Sequence, residues 1–205
     1  MTDFNERAKG WDSDPMKLER AHVVAEAIRT ALPLTSGMTA LEYGCGTGLL
    51  SFALQADLGQ ITLADTSQGM LDVLNEKISA AGVANMHPML LDLTNNPLPA
   101  ERYHLAYSLM TLHHIHDTQD ILIKFHVLLK PAGYLCIADL DKEDGSFHTD
   151  GTNDVHKGFE RPTLRKQVEA AGFGEIHFLT AYEIKKIIGN TEKTFPVFLM
   201  TARKA

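Results

Sequence analysis

The chain of 205 residues is 44% hydrophobic and 22% charged, with 15 Gly, 8 Pro, 2 Cys and 1 Trp, and its formal net charge is −7. That length suffices for one domain with a sizeable core, and the composition excludes a disordered, collagen-like or disulfide-scaffold protein. The acidic balance argues against duplex nucleic acid or an anionic membrane as partner, since both are held by basic surface.

Cys45 and Cys136 form no Cys-x-x-Cys pair of the kind used in zinc or redox chemistry. The opening Met1-Thr2-Asp3-Phe4-Asn5-Glu6 has neither the basic start nor the apolar run of a signal peptide. No stretch approaches the roughly 18 apolar residues of a membrane span. A soluble, cytoplasmic protein is expected.

Apolar residues at helical spacing from Met16 to Leu32 predict a helix, with Asp14 as its cap and Pro15 in its first turn. Short apolar runs then alternate with helix-period segments, the signature of a largely parallel sheet flanked by helices. Strands are predicted at Thr39–Tyr43, Gln60–Asp65, Met86–Leu91, Tyr103–Leu109 and Tyr134–Asp139. Helices are predicted over 48–56, over 68–80 before Gly82, and over 117–129 before Pro131. Pro88 lacks the amide that a central strand must donate, which puts the third strand at a sheet edge.

Residues 141–159 are polar and rich in glycine, acids and histidines, and read as a loop or lid. A helix follows over 161–171, then strands at 176–181 and 195–201 that are too close for a crossover and so form an antiparallel hairpin. The intervening 182–193 reads as a loop. A single domain results. Residues 1–35 form an N-terminal cap segment and helix, 36–140 an α/β core, 141–160 a polar insertion, and 161–205 a helix with the last strand pair.

The most informative segment is Leu41-Glu42-Tyr43-Gly44-Cys45-Gly46-Thr47-Gly48, where a strand runs into a helix through three glycines. Such glycines allow positive φ and let a ligand lie against bare backbone. The third glycine falls one position too early for the Gly-x-Gly-x-x-Gly of dinucleotide sites, which disfavours a nicotinamide-dependent dehydrogenase. No Lys-Ser or Lys-Thr follows, which excludes a Walker-type phosphate loop. Asp65 ends the second strand, where an acid can accept from ribose hydroxyls, and Asp92 follows the third, where it can accept from an exocyclic amine.

With Asp65-Thr66-Ser67-Gln68-Gly69-Met70-Leu71, Asp92-Leu93, Tyr107-Ser108-Leu109, Leu112-His113-His114-Ile115 and Leu129-Lys130-Pro131-Ala132-Gly133-Tyr134, the sequence resembles the class I S-adenosylmethionine-dependent methyltransferases, of the type acting on small molecules. The resemblance covers 37–140 well and the remainder loosely. It implies a Rossmann-like α/β fold with seven strands, mostly parallel, helices on both faces, the third strand at the edge and the last antiparallel. It also implies S-adenosylmethionine as cofactor and a small or medium organic methyl acceptor. Gly44 and Gly46 would pass under the methionine, Asp65 hold the ribose, Asp92 the adenine amine, and the Ser108 carbonyl the ammonium group. Met70 and Leu93 would line the adenine slot, Glu42 would fix the loop or act through water, and Trp11 would lie in a segment closing over the cofactor. Ala132 departs from the family's glycine and puts that turn's geometry in question.

An oxygen, sulfur or protonated-nitrogen nucleophile must lose a proton, and histidine is the side chain best poised to take it near neutral pH. His113, His114 and His116 follow the fourth strand, while His148 and His156 lie in the insertion. His113 and His156 are the candidate bases. No metal is expected: Asp139, Asp141, His148, Asp150, Asp154 and His156 share one stretch but match no ligand spacing. No Asn-Pro-Pro-Tyr-like tetrapeptide follows the fourth strand, which argues against nucleic-acid amino groups as acceptor. A non-catalytic cofactor-binding module is the alternative from another class.

Overall fold

The computed structural model describes residues 4–148 and 155–205. A short helix α1 (Phe4–Arg7) and a 3-10 turn (Ala8–Ser13) lead into α2 (Pro15–Ala31), whose cap is Asp14, its carboxylate accepting from the Met16 N–H. Strand β1 (Thr39–Tyr43) and α3 (Leu49–Leu54) follow, then β2 (Gln60–Asp65) and α4 (Gln68–Ala81). Ser67 caps α4 by accepting from the Met70 N–H, and Gly82 ends it in the left-handed conformation. After β3 (Met86–Leu90) and β4 (Tyr103–Leu109) come a 3-10 turn (Leu112–His114), α5 (Thr118–Leu128) and β5 (Leu129–Leu140). The chain closes with α6 (Arg161–Ala170), β6 (Phe173–Ile188) and β7 (Thr191–Lys204).

The strands form one sheet in the order β3-β2-β1-β4-β5-β7-β6. All pairings from β3 to β5 are parallel, and β7 runs antiparallel to both of its neighbours. β3 is at the edge, as Pro88 requires. Each face buries an apolar cluster. On one, Ile28, Leu50, Leu54 and Leu74 bring in α2, α3 and α4; on the other, Phe125, Leu128, Leu164 and Val168 bring in α5 and α6. Each fully buried Leu or Ile contributes about 1.5–3 kcal/mol. The sheet's carboxyl rim is thereby fixed, and every loop that carries chemistry starts from it.

The bounds of β5, β6 and β7 differ from the sequence expectation. β5 starts at Leu129 rather than Tyr134, because Ala132 takes φ 60 and a register shift between Tyr103 and Leu105 absorbs the irregular turn. Ala132 therefore stands in the left-handed region that a glycine occupies without strain. The segment 182–193 is not a loop. β6 and β7 stay paired out to Ile188 and Thr191 around a turn at Gly189, and the hairpin arm leans on the insertion through Lys186 Nζ to the Phe147 carbonyl (2.8 Å) and Lys193 Nζ to Asp144 (2.7 Å). Among the described residues, no helix is long and apolar enough to cross a membrane.

Candidate functional site

The glycine loop leaves β1 with Gly44, Gly46 and Gly48 all at positive φ (70°, 53° and 79°). A β-carbon on Gly44 would lie 2.2 Å from the Thr111 methyl, and one on Gly48 2.6 Å from Leu74, so packing alone excludes side chains there. Gly46 is different. A β-carbon on it would meet only Trp11 Nε1 at 3.9 Å and Met70 Sδ at 4.0 Å. Its α-carbon faces a cradle that any larger residue would begin to fill.

Below the cradle, Asp65 Oδ2 accepts from the Gly46 N–H (2.7 Å) and Oδ1 from the Ser67 N–H (2.8 Å). Burial pushes this carboxyl up, against the opposing pull of those amide bonds. Each oxygen keeps a lone pair for a further donor. Glu42 is buried on β1, where Ser51 Oγ donates to it, and Ser51 in turn contacts Tyr107 Oη at 2.6 Å. Burial raises its carboxyl to about 8, so at neutral pH it is largely a neutral prop of the loop. Ser51 and Tyr107 are partners that no local motif announces.

A strap from the N-terminus covers this rim. Asn5 Oδ1 accepts from Ser67 Oγ and the Gly69 N–H, both at 2.8 Å. Asp12 pairs with Lys77 at 2.5 Å and accepts from Thr47 Oγ1, while Lys77 Nζ also donates to the Thr47 carbonyl (2.8 Å). Trp11 is held between these anchors with Lys17 Nζ 3.8 Å above its ring and Phe4 edge-on at 6.0 Å. Trp11, Gly46, Asp65 and Met70, singled out far apart in sequence, are thus brought together.

Asp92 and Leu93 fit less directly. The Asp92 carboxylate accepts from Thr94 N–H (2.8 Å), Thr94 Oγ1 (2.5 Å) and Asn95 Nδ2 (2.7 Å), so it shapes its own turn first. Burial raises its pKa, but those bonds outweigh it and leave the carboxyl below its usual range. The buried Leu93 gives its N–H to Tyr43 Oη (3.1 Å), a partner the sequence did not suggest. Ser108 is buried just past Tyr107, the last β4 residue in register with β1.

Beyond β4 the rim changes character. Met110 is a non-glycine residue at φ 56, and the turn it makes lets Thr111 Oγ1 donate to the Gly44 carbonyl at 3.2 Å. Next comes His113, 1% exposed, whose Nδ1 lies 2.6 Å from the fully buried Asp139 on β5. Asp139 also accepts from the N–H groups of His113 (3.2 Å) and Leu140 (2.7 Å). Burial raises this carboxyl, but His113 and these amides more than offset it and hold it below the ordinary value. The anionic Asp139 accepts a hydrogen bond from Nδ1–H, which leaves the lone pair on His113 Nε2.

His156 has another duty. Its N–H donates to the His113 carbonyl (2.8 Å), and its Nε2 lies 3.0 Å from the Ile115 carbonyl and 3.2 Å from that of His116. With only carbonyl oxygens opposite, Nε2 carries a proton and donates. His156 thus clasps the insertion to the β4 turn, and that nitrogen is not a base. The neck of the insertion is zipped by Lys142 N–H to Phe159 O and Phe159 N–H to Leu140 O, and Asp141 is gripped by Arg161 through two bonds of 2.7 and 2.6 Å. The acids Asp139 and Asp141 are therefore committed to other partners, and Asp150 and Asp154 lie outside the described residues. His148 instead comes over to His113 and His114, with ring centroids 5.3 and 5.6 Å away.

Comparison with known proteins bears on this rim. Residues 40–133 match the profile of a family described as a methyltransferase domain. An uncharacterised methyltransferase of Schizosaccharomyces pombe is 39% identical over 121 residues, 55% of this chain and 42% of that protein. A ubiquinone biosynthesis O-methyltransferase of Coxiella burnetii is 25% identical over 143 residues, 68% of this chain and 60% of that protein. The chain spans about half the length of the curated relatives it matches. In structure, phosphoethanolamine N-methyltransferase 2 of Haemonchus contortus in complex with S-adenosyl-L-methionine superposes with a TM-score of 0.71 at 16% identity, over 88% of this chain and 52% of that one. At that identity the likeness concerns the fold.

Proposed function

We propose that this chain is a class I S-adenosylmethionine-dependent methyltransferase that transfers a methyl group from that cofactor to a small or medium organic acceptor. The observation that carries the reading is the open cradle over Gly46, walled by Trp11 and Met70 and floored by Asp65. A side chain at Gly46 would begin to fill it, and the lone pairs that Asp65 keeps suit ribose hydroxyls, which supports a nucleoside there. When bound, S-adenosylmethionine supplies an electrophilic methyl on a positive sulfur, so the protein's task is to align a nucleophile at about 3 Å and keep water out.

In this reading Gly44 and Gly46 offer bare backbone to the methionine part, and the Ser108 carbonyl meets its ammonium group. Asp65 accepts from the ribose hydroxyls. Met70 and Leu93 pack the adenine, and Asp92 accepts its amine with the lone pair its turn leaves over. Glu42 acts on the loop through Ser51, and Trp11 closes the strap. On the acceptor side His113 Nε2 takes the proton as the new bond to carbon forms, while Asp139 holds the tautomer and steadies the imidazolium. His113 is the catalytic residue and Asp139 its positioning partner.

Calorimetry with S-adenosylmethionine and S-adenosylhomocysteine, followed by a metabolite screen for S-adenosylhomocysteine release, tests the reading. Saturable binding of both ligands and turnover with at least one acceptor are expected. Absence of binding overturns it. Binding without turnover across a wide panel would favour the non-catalytic module. The location follows as a cytoplasmic one, checked by fractionation of cells producing the full-length protein.

A further inference from the structure

Three imidazoles meet beside the cradle. His113 and His114 end the 3-10 turn after β4, and His148 lies in the insertion. One potential ligand atom of each lies within 4.8 Å of the other two, and the His113 and His114 ring centroids are 4.1 Å apart. We propose that His113, His114 and His148 form a binding site for a divalent transition-metal ion of the zinc type, with a fourth position open to the methyl acceptor.

The donor set selects the metal class. Three neutral imidazole nitrogens suit zinc, cobalt, nickel or copper, and do not suit magnesium or calcium, which take oxygen ligands. The outer sphere is already in place. Asp139 accepts from His113 Nδ1 at 2.6 Å, the carboxylate–histidine arrangement that fixes a ligand's tautomer and raises its basicity, and it leaves Nε2 as the ligating atom.

The remaining distance is small. Around a tetrahedral ion with bonds of about 2.0–2.1 Å, ligand nitrogens sit about 3.3 Å apart, against the 4.8 Å within which one ring nitrogen of each histidine lies. His148 follows directly on Phe147, which packs against Phe195 (5.2 Å) under Lys186 (3.7 Å). Phe4 stands edge-on to His114 at 5.6 Å and Phe147 to His148 at 5.0 Å, an apolar collar around the nitrogens. Only His148 is shared with the acid-rich set that the insertion's sequence suggests.

Metal binding stands on this geometry alone; its catalytic meaning rests on the methyl-transfer reading. Three protein ligands and one open position mark catalytic rather than structural sites. An acceptor hydroxyl or thiol bound there ionises more readily, and its proton passes to solvent. The heteroatom's electron pair forms the bond to the methyl carbon as the carbon–sulfur bond breaks, its electrons staying on sulfur, so nothing is oxidised or reduced. The acceptor class is then a molecule with an ionisable hydroxyl or thiol. With an ion bound, His113 Nε2 is a ligand and the ion replaces it in easing loss of the acceptor's proton, so the base role given to His113 above is that of the metal-free chain.

The test uses the full, untagged chain, stripped with a chelator and titrated with Co²⁺ alone. One equivalent should produce the visible absorption of a tetrahedral Co²⁺ site, and Zn²⁺ should displace it. His148→Ala and His114→Gln should each abolish that absorption, while Asp139→Asn should weaken Co²⁺ binding about 10- to 100-fold. No saturable absorption in the wild type, or unchanged affinity in both histidine variants, overturns the proposal. Calorimetry with S-adenosylmethionine on the same samples reports folding of the variants and separates the two readings. Co²⁺ binding without nucleoside binding keeps the metal site and removes methyl transfer; the reverse removes the metal site alone.

Discussion

The two halves of the sheet's carboxyl rim are made of different materials. Between β1 and β2 the groups that matter are backbone: three glycines at positive φ and amide N–H groups that grip Asp65. Between β4 and β5 they are side chains, with His113 resting on a buried carboxylate 26 residues further on. The first half can take a shape common to many chains, because peptide groups are the same in every protein. In the proposed reading the second is where an acceptor's chemistry is chosen. A bound nucleoside and a reacting heteroatom therefore call on separate sets of residues, and substitutions should separate them.

The largest effect is expected from Asp139→Asn. The amide favours the wrong tautomer of His113, so turnover should fall about 10²- to 10⁴-fold while affinity for S-adenosylmethionine stays within about twofold. Initial rates with the acceptor found by screening, beside calorimetry on the same sample, check this; a parallel loss of both would mean that the halves are not independent. Asp65→Ala should do the opposite. Losing two hydrogen bonds to a carboxylate costs about 2–4 kcal/mol, or about 30- to 1,000-fold in cofactor affinity. Asp92→Ala should cost less than about 10-fold, since that carboxylate is more exposed and serves its own turn.

A smaller effect sharpens the role of the loop's prop. Glu42 has a carboxyl raised by burial from 4.5 to about 8, so the folded chain binds its proton more tightly than the unfolded one. Its contribution to stability is full at low pH, falls as pH rises from about 4.5 to 8, and is flat above that. Glu42→Gln should remove this slope. Thermal melts from pH 5 to 9 should show the variant gaining on the wild type by several degrees toward pH 9, and parallel curves would show that Glu42 is not the titrating group. The smallest effect lies away from both halves. Ala132→Gly relieves a left-handed alanine and should stabilise by about 1 kcal/mol, a rise of about 2–4 °C in melting temperature.

What the sequence disclosed follows the same division. The strand–glycine–helix passage at 39–54, the acid ending β2 and the edge position forced by Pro88 depend on neighbouring residues, and local pattern reports them. The hairpin arm was hidden. Tyr182 to Ile188 alternates at a sheet period, but Lys185, Lys186, Glu192 and Lys193 flank the turn with charge, and most of the arm has little burial to mark it as sheet. The meeting of His148 with His113 and His114 was hidden for a deeper reason. It depends on the neck at 140–143 and 157–159 folding the insertion back, and on the hairpin arm seating Phe147. Asp92 shows the converse, a residue well placed by motif whose side chain is claimed first by Thr94 and Asn95.

The strap at residues 4–13 touches both halves. Trp11 leans over Gly46, while Phe4, in the same short run of helical turns, meets His114. Peeling this flap away to exchange one nucleoside for another also strips an aromatic wall from the imidazole trio. If the proposed reading holds, loading the donor and sheltering the acceptor are one mechanical event, and product-inhibition kinetics should show a compulsory order: donor in first, demethylated donor out last.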